Sequence, residues 1–575
     1  MKKELLDYIR KNNLSPFNIE KTSLKATEDS IYKTKDAKAI HAKVLSKISA
    51  NFHFTETSNL FNFFYFTSDL AEIKKRQDFF RQITDVISND FLSNMVMPKK
   101  WWKPKYSIIV ATENEKTFIE LQKIGCPTKY IITESDLDDL RYYDIVQVLD
   151  CDNFSRALES LPQSVFLDSL DEVYLERYVQ LLSSWKNNFD ILKEHKTNEE
   201  IAYLINAIES LNYLLDDKPQ DSLTREQVEH ELDKINAEVQ QEIKKLTLSG
   251  DILFTMLSKS TMPDEMNKIV KSAILKSNVN EHLFVRKIPV ALDEDELEKT
   301  LKKQTNDEHT SIAEEIKRHA TDLCALPRRI QELSEQLLLF DFLSGMSHFL
   351  STATSFPQDS PLDFAIRNSA NLFLDKPQPI SFHLNQQYRC SILTGANSGG
   401  KTTLLEHVIQ LISLYQLGLP ISGEVKMPLF QEIYYFAKNK GSLNKGAFET
   451  LLTQMSKINP GKKTLILADE IESVTEPGVA GAIVCASADF FLRQGCFLII
   501  ATHLGKEIQK NLPPFARVDG IEAKGLDEFY ELIVDHNPVL GRLANSTPEL
   551  IIEKMANSFK TDYFNYLFDF LKRSK

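Results

Sequence analysis

The sequence predicts a multidomain chain built from α and α/β parts. At 575 residues it exceeds what one hydrophobic core supports, and about three to four domains are expected. Short apolar runs alternate with polar, helix-like stretches over 106–168 and again beyond about Phe356, the rhythm of a parallel sheet with crossover helices. Long segments with apolar residues at helical spacing lie between those two regions. The expected divisions are a helical region at 1–97, a small α/β module at 98–168, a helical core with two long arms at 169–345, and a C-terminal α/β domain at 346–575.

Up to about Asn89 the chain reads as short helices, with apolar residues gathered at Phe61–Phe66. The run Met97-Pro98-Lys99-Lys100-Trp101-Trp102-Lys103-Pro104-Lys105 interrupts regular structure at both prolines and marks a boundary. The strands expected beyond it are Ile108–Ala111, Tyr130–Thr133, Ile145–Leu149 and Val165–Leu167, with a helix at Glu113–Lys123. This module contains no G-x-G-x-x-G run, so a connector role is expected of it.

The arms follow. Ile201, Leu204, Ile205, Ile208, Leu211 and Leu215 share one helical face. Val228, Leu232, Ile235, Val239, Ile243 and Leu246 alternate at three and four residues, which places one apolar seam along a long helix. A second arm runs through Ile312, Ile316, Ala320 and Leu323 and resumes at Ile330, Leu333, Leu337 and Phe340, with Pro327 expected to kink or break it. The segment from about Leu248 to Asp295 is expected to form the distal tip.

Bulk properties exclude several classes. There is no run of 18 or more apolar residues, which argues against a membrane span. The start, MKKELLDYIRKNN, lacks the apolar core of a signal peptide. Six cysteines are scattered with no C-x-x-C pair, the usage of a reduced, cytoplasmic protein without structural zinc or disulfides. A net charge of −13 opposes coating by nucleic acid over the whole surface, although a local basic groove is compatible with it.

The chemistry concentrates in the C-terminal domain. Ser391-Ile392-Leu393 reads as a strand, Gly395-Ala396-Asn397-Ser398-Gly399-Gly400-Lys401-Thr402 as a loop, and Thr403-Leu404-Leu405-Glu406 as a helix start. This is G-x-x-x-x-G-K-[ST] in the strand–loop–helix setting the P-loop motif requires. Its glycines let backbone N–H groups turn toward phosphate oxygens, and the helix adds its positive end. Lys401 is expected to place its charge on the β- and γ-phosphates of ATP, and Thr402 to offer a hydroxyl to Mg²⁺. Thr464–Ala468 reads as a second apolar strand ending in Asp469-Glu470. Asp469 is expected to hold Mg²⁺ through water, and Glu470 to polarise the attacking water. A third strand, Phe497–Ile500, leads to Ala501-Thr502-His503, where the histidine is placed to sense the γ-phosphate.

Gly395–Thr403 resembles the loop of the MutS family, which has the form G-P-N-x-G-G-K-[ST]; the double glycine and Asn397 go beyond the general motif. Further similarities come in order: Gly418-Leu419-Pro420-Ile421, Gly446-Ala447-Phe448-Glu449, Asp469-Glu470-Ile471 and Ala501-Thr502-His503. Leu337–Leu343 is similar to the family's entry into its ATPase domain, and Asp69–Phe79 to part of its core. The resemblance implies a P-loop ATPase domain of ABC type, helical lever and clamp arms, ATP and Mg²⁺ as cofactors, a homodimer, and DNA as the partner. The departures are specific. The family usually has G-x-G-T where this chain has Glu472–Pro477, and Gly446 stands where a signature serine reaches the partner subunit's nucleotide, leaving Ser442 and Asn444 as candidate substitutes.

The family's mismatch-reading Phe-x-Glu belongs to an N-terminal domain. Here Phe529-Tyr530-Glu531 lies beyond His503 and reads as a buried strand, and no nuclease domain is expected after about Asn557. The shorter MutS-like proteins that engage branched or unusual DNA are therefore the closer model. Candidate phosphate contacts are Lys268, Lys271, Lys276, Arg286 and Lys287 near the tip, and the Lys99–Lys105 cluster with Trp101 and Trp102. A ribosome-directed mechanical ATPase, and a structural partner that binds ATP with little turnover, are the competing expectations.

Overall fold

The computed structural model describes residues 1–17, 30–83, 88–99, 104–215, 223–246, 262–353, 355–395, 400–438, 449, 452–470, 477–526, 532–544, 548–559 and 561–573. The protein is multidomain and mostly helical, with a small α/β region toward its N-terminus and an α/β region toward its C-terminus. It divides into two compact units. One comprises Met1–Met95, His195–Asn198 and Leu333–Lys575, and the other comprises Val96–Glu194 and Glu199–Glu332.

In the second of these units, β1 (Ile108–Thr112), β2 (Thr128–Tyr130), β3 (Ile145–Val148) and β4 (Ser164–Phe166) form a parallel sheet in the order β2-β1-β3-β4. Alternate residues of β1 and β3 feed separate apolar clusters, Ile108, Val110 and Ile145 in one and Ile109, Ala111, Val146 and Val148 in the other. Both faces are therefore covered, as a parallel sheet requires. The unit also contains the helices Glu115–Lys123, Glu176–Glu194, Glu199–Glu209, Arg225–Ile243, Asp264–Leu275 and Glu294–Lys317, with a short hairpin of β5 (Phe284–Val285) and β6 (Ala291–Leu292). Val228, Ile235 and Val239 pack with Val270, Ile274, Phe284, Val290 and Leu297 in one core. The described part of the expected tip thus folds back onto the helix whose seam the sequence revealed.

Of the kink or break expected at Pro327, the break is not found. The helix Ala320–Leu350 runs through Pro327, and the interruption comes instead between Lys317 and Ala320. Leu323, Leu326, Ile330 and Leu333 are all buried around the proline. Burying several such side chains gains roughly 1.5–3 kcal/mol each, which exceeds the ~3 kcal/mol cost of one interior proline.

The other unit is centred on five parallel strands: β10 (Cys390–Gly395), β12 (Glu432–Phe436), β13 (Thr464–Asp469), β14 (Phe497–Ala501) and β15 (Ala516–Ile521), in the order β12-β13-β14-β10-β15. A second, mixed sheet contains β7 (Gln358–Asp359), β8 (Phe364–Ser369), β9 (Ile380–Leu384) and β11 (Glu424–Met427). Ile392, Ile466, Ala468, Leu498, Ile500 and Val518 pack on Val484, Ala488, Phe491 and Ile508 from the helices Pro477–Arg493 and Gly505–Lys510. The helix Lys401–Leu417 is buried almost all round, which marks a helix enclosed by other elements rather than one lying at a surface.

The N-terminal residues supply part of that enclosure. The Tyr32 hydroxyl lies 2.6 Å from that of Ser413, and the Arg76 guanidinium donates to the Gln416 carbonyl at 2.8 Å. Ile31–Lys33 also bonds to both sides of Ile433, so the open edge of β12 is capped by chain from the far end of the sequence.

Candidate active site

The chemistry-bearing residues stand at the carboxyl ends of three adjacent strands, where open parallel sheets place their ligand crevices. Strand register sets Leu393 beside Ala501 and Asp469 beside Ala501, so the exits of β10, β13 and β14 lie side by side. Gly395 ends β10 at φ +134°, and a Cβ there would sit 2.3 Å from the Ile521 carbonyl oxygen. Gly400 caps the following helix at φ +88°. Both positions need glycine for conformation or closeness of approach. Ala396, Asn397, Ser398 and Gly399 lie outside the described residues.

Lys401 is 2% exposed, and its ammonium donates to the Gly395 carbonyl at 2.7 Å and lies 3.8 Å from Glu470 Oε1. Thr402 is exposed and donates its hydroxyl to Asp469 Oδ2 at 2.7 Å. Asp469 is buried, and its Oδ1 has no hydrogen-bond partner among the described residues. Burial pushes the Asp469 carboxyl above its ordinary value, and the adjacent Glu470 charge adds to this against the Thr402 hydrogen bond and Lys401. A divalent cation beside Oδ1 and the Thr402 hydroxyl would supply the missing partner and favour the carboxylate. These two residues therefore fit a magnesium site completed by oxygens from outside the chain. Thr403 lies in the first turn of the helix, and its carbonyl accepts from the Asn371 amide at 3.5 Å.

Glu470 follows directly. It has φ +48°, its N–H donates to the Ala501 carbonyl at 2.9 Å, and its carboxylate is met by Lys438, His503 and Lys401. Burial alone would raise this carboxyl, but the Lys438 hydrogen bond and the charges of His503, Lys438 and Lys401 outweigh it and hold it below the usual glutamate value. The structure thus gathers Gly395, Gly400, Lys401, Thr402, Asp469, Glu470 and His503 into one place. The arrangement joins a buried ammonium and a helix N-terminus, suited to phosphate oxygens, with two carboxylates in different environments.

Sequence reasoning missed two contributors. Lys438, just past β12, carries no motif; only the pairing of β12 with β13 brings it to Glu470. A cavity of about 430 Å³ adjoins Gly400, Thr402 and Thr403 and is also lined by Asn371, Leu374, Gln378 and His536. His536 Nδ1 would lie 2.9 Å from a Cβ on Gly400, and its backbone N–H donates to Gln378 at 3.2 Å. No local pattern links these distant positions.

The chain is also similar in sequence to known proteins. A DNA-binding protein MutS2 of Pyrococcus furiosus is 28% identical over 556 residues, covering 91% of this chain and 96% of that protein. The chain is similar at family level to MutS2 and MutS-type proteins. An endonuclease MutS2 of Caldanaerobacter subterraneus is 23% identical over 331 residues, 54% of this chain and 39% of that protein. A DNA mismatch repair protein MutS of Fervidobacterium nodosum is 27% identical over 234 residues, with 38% of this chain and 26% of that protein covered. The chain thus spans nearly all of the first MutS-type relative and less than half of the other two. No family model matches.

Several other residues singled out in the sequence are not described. Ser442, Asn444, Gly446, Ala447 and Phe448, the segment Ile471–Glu476, and Phe529–Glu531 lie outside the described residues, as do Lys100, Trp101, Trp102 and Lys103. Lys268, Lys271, Lys276, Arg286 and Lys287 are all exposed, but Lys276 is paired with Glu238, and Arg286 with Glu281 at 3.2 Å. Among the described residues, no helix is long and apolar enough to cross a membrane.

Proposed function

We propose that the protein is a P-loop ATPase of MutS type that binds ATP with Mg²⁺ at Gly395–Thr403, Asp469, Glu470 and His503 and couples hydrolysis to engagement of DNA. The observation that carries this reading is the convergence of Lys401, Thr402, Asp469 and Glu470 at adjoining strand ends. Lys401 and the N-terminus of its helix bind the phosphates, and Thr402 with Asp469 holds the cation. Bound magnesium supplies charge neutralisation on the phosphate oxygens. Glu470, whose carboxyl the Lys438 hydrogen bond and the neighbouring charges hold below the usual glutamate value against the effect of burial, orients the attacking water and takes its proton as ATP and water become ADP and phosphate. His503 reaches the same carboxylate and is placed to exchange that contact for the terminal phosphate. The cavity beside Gly400 takes the base and sugar, with His536 as one wall.

Engagement of DNA is supported by the family-level similarity to MutS-type proteins, among them a relative named as DNA-binding. A homodimer that moves helical arms around branched or unusual duplex DNA is the form this reading takes. ATPase activity measured with linear duplex, branched DNA and ribosomes across a salt series tests it. Stimulation by branched DNA that fades as salt rises is expected. Stimulation by ribosomes alone would replace DNA with a ribonucleoprotein target.

A further inference from the structure

We infer that Lys438 is a positioning residue for Glu470, holding the carboxylate from the side opposite the phosphate-binding lysine. The inference rests on the ATPase reading above. Phe436 pairs with Ala468 in the sheet, so the chain leaving β12 emerges beside the chain leaving β13. Lys438 follows Phe436 by two positions and Glu470 follows Ala468 by two, which brings the two side chains together by register. The two carboxylate oxygens are divided between neighbours: Oε1 takes His503 and Lys401, and Oε2 takes Lys438.

This division separates two kinds of work. Lys401 and His503 belong to the phosphate side of the site, and their contacts with Glu470 compete with phosphate oxygens once a nucleotide is present. Lys438 enters from the edge strand, outside the loop that cradles phosphate. Its hold on Oε2 can persist while Oε1 is released toward water. A buried carboxylate without such a partner is costly and free to rotate about its last torsion. The ammonium fixes that torsion, so that the oxygen offered to water has a set direction. Lys438 itself is 47% exposed.

The test uses the full chain with Lys438→Ala and Lys438→Arg, measuring ATP affinity by equilibrium binding and turnover at saturating ATP and magnesium. The alanine variant is expected to lose about 10- to 100-fold in kcat, the range for residues that orient a reacting group through one contact, with its Kd for ATP within about twofold of the parent. Arginine, which restores the ion pair, should recover most of the loss. In a Glu470→Gln background the alanine change should have no further effect, because the two act through one carboxylate. Unchanged kcat in Lys438→Ala would reduce the contact to a surface ion pair and overturn the inference. A raised Kd with unchanged kcat would overturn it differently, by making Lys438 a nucleotide contact. A parent chain that binds no ATP or turns none over sinks the reading of the site and this inference together, whereas a working parent with an indifferent Lys438 sinks the inference alone.

Discussion

Glu470 adopts a left-handed backbone conformation, φ +48°, which costs a non-glycine residue about 1–2 kcal/mol. It is held there by its N–H bond to Ala501 and by cations around its carboxylate. Replacing only the charge should leave that backbone intact, so Glu470→Gln is expected to keep ATP affinity and lose turnover by at least about 100-fold. Equal hydrolysis by variant and parent would remove Glu470 from the chemistry. Lys401→Ala should act the other way, weakening ATP binding by tenfold or more on the order of a lost charge-assisted hydrogen bond; unchanged affinity counts against the loop as a phosphate cradle. At this scale the gathering of Gly395, Gly400, Lys401 and Thr402 was legible because these residues are near neighbours in the chain. Asp469 and Glu470 were legible for a related reason, as carboxylates at the end of an apolar strand. Lys438 and His536 were not, since strand pairing and chain return bring them in and neither leaves a trace in neighbouring residues.

Elements were legible where one periodicity dominates. The strands β1, β3, β10, β13 and β14 lie within a residue or two of the apolar runs that announced them. Arg225–Ile243 ends before Leu246, the last residue of its seam, because apolar spacing does not specify where a helix stops. Pro327 shows the opposite limit, a strong local signal overridden by burial on either side. Its ring is exposed and contributes no core packing. Pro327→Ala should therefore restore a hydrogen bond to the Leu323 carbonyl and raise stability by about 2 kcal/mol after allowing for the greater freedom of the unfolded chain. Urea unfolding measures this, and a loss of stability would show that the proline's geometry is required. Gly418 makes a complementary case. It closes the helix Lys401–Leu417 at φ +78°, and an added Cβ would lie 2.3 Å from that of Arg76. Gly418→Ala is expected to cost at least about 2 kcal/mol in the same assay, from strain and displacement of Arg76 together.

Over the whole molecule, the least legible feature is the packing of Met1–Met95 with Leu333–Lys575. Periodicity describes faces but says nothing about which distant face covers which. One consequence is a set of buried polar groups far apart in sequence and close to the same helix. His407 lies on that helix, between the Ser369 hydroxyl at 3.1 Å and the Gln410 amide oxygen at 3.4 Å, and His41 stacks on Tyr32, whose hydroxyl reaches Ser413. Burial pushes both imidazoles down to about 4 from an unfolded value of about 6.5. Both are thus neutral when folded at pH 6, while the unfolded chain takes up protons. Unfolding is favoured as pH falls, so the stability these groups contribute is complete above about 6.5 and is lost progressively down to about 4, at about 1.4 kcal/mol per pH unit for each histidine. Below that the folded form also binds the protons and their part of the slope vanishes. Carboxylates titrate over part of the same window, which makes the difference between parent and variant the informative quantity. His407→Gln, which carries no titrating proton, should show a shallower fall in melting temperature between about pH 6.5 and 4 than the parent. Parallel pH profiles for the two would mean that His407 is not held neutral by its burial.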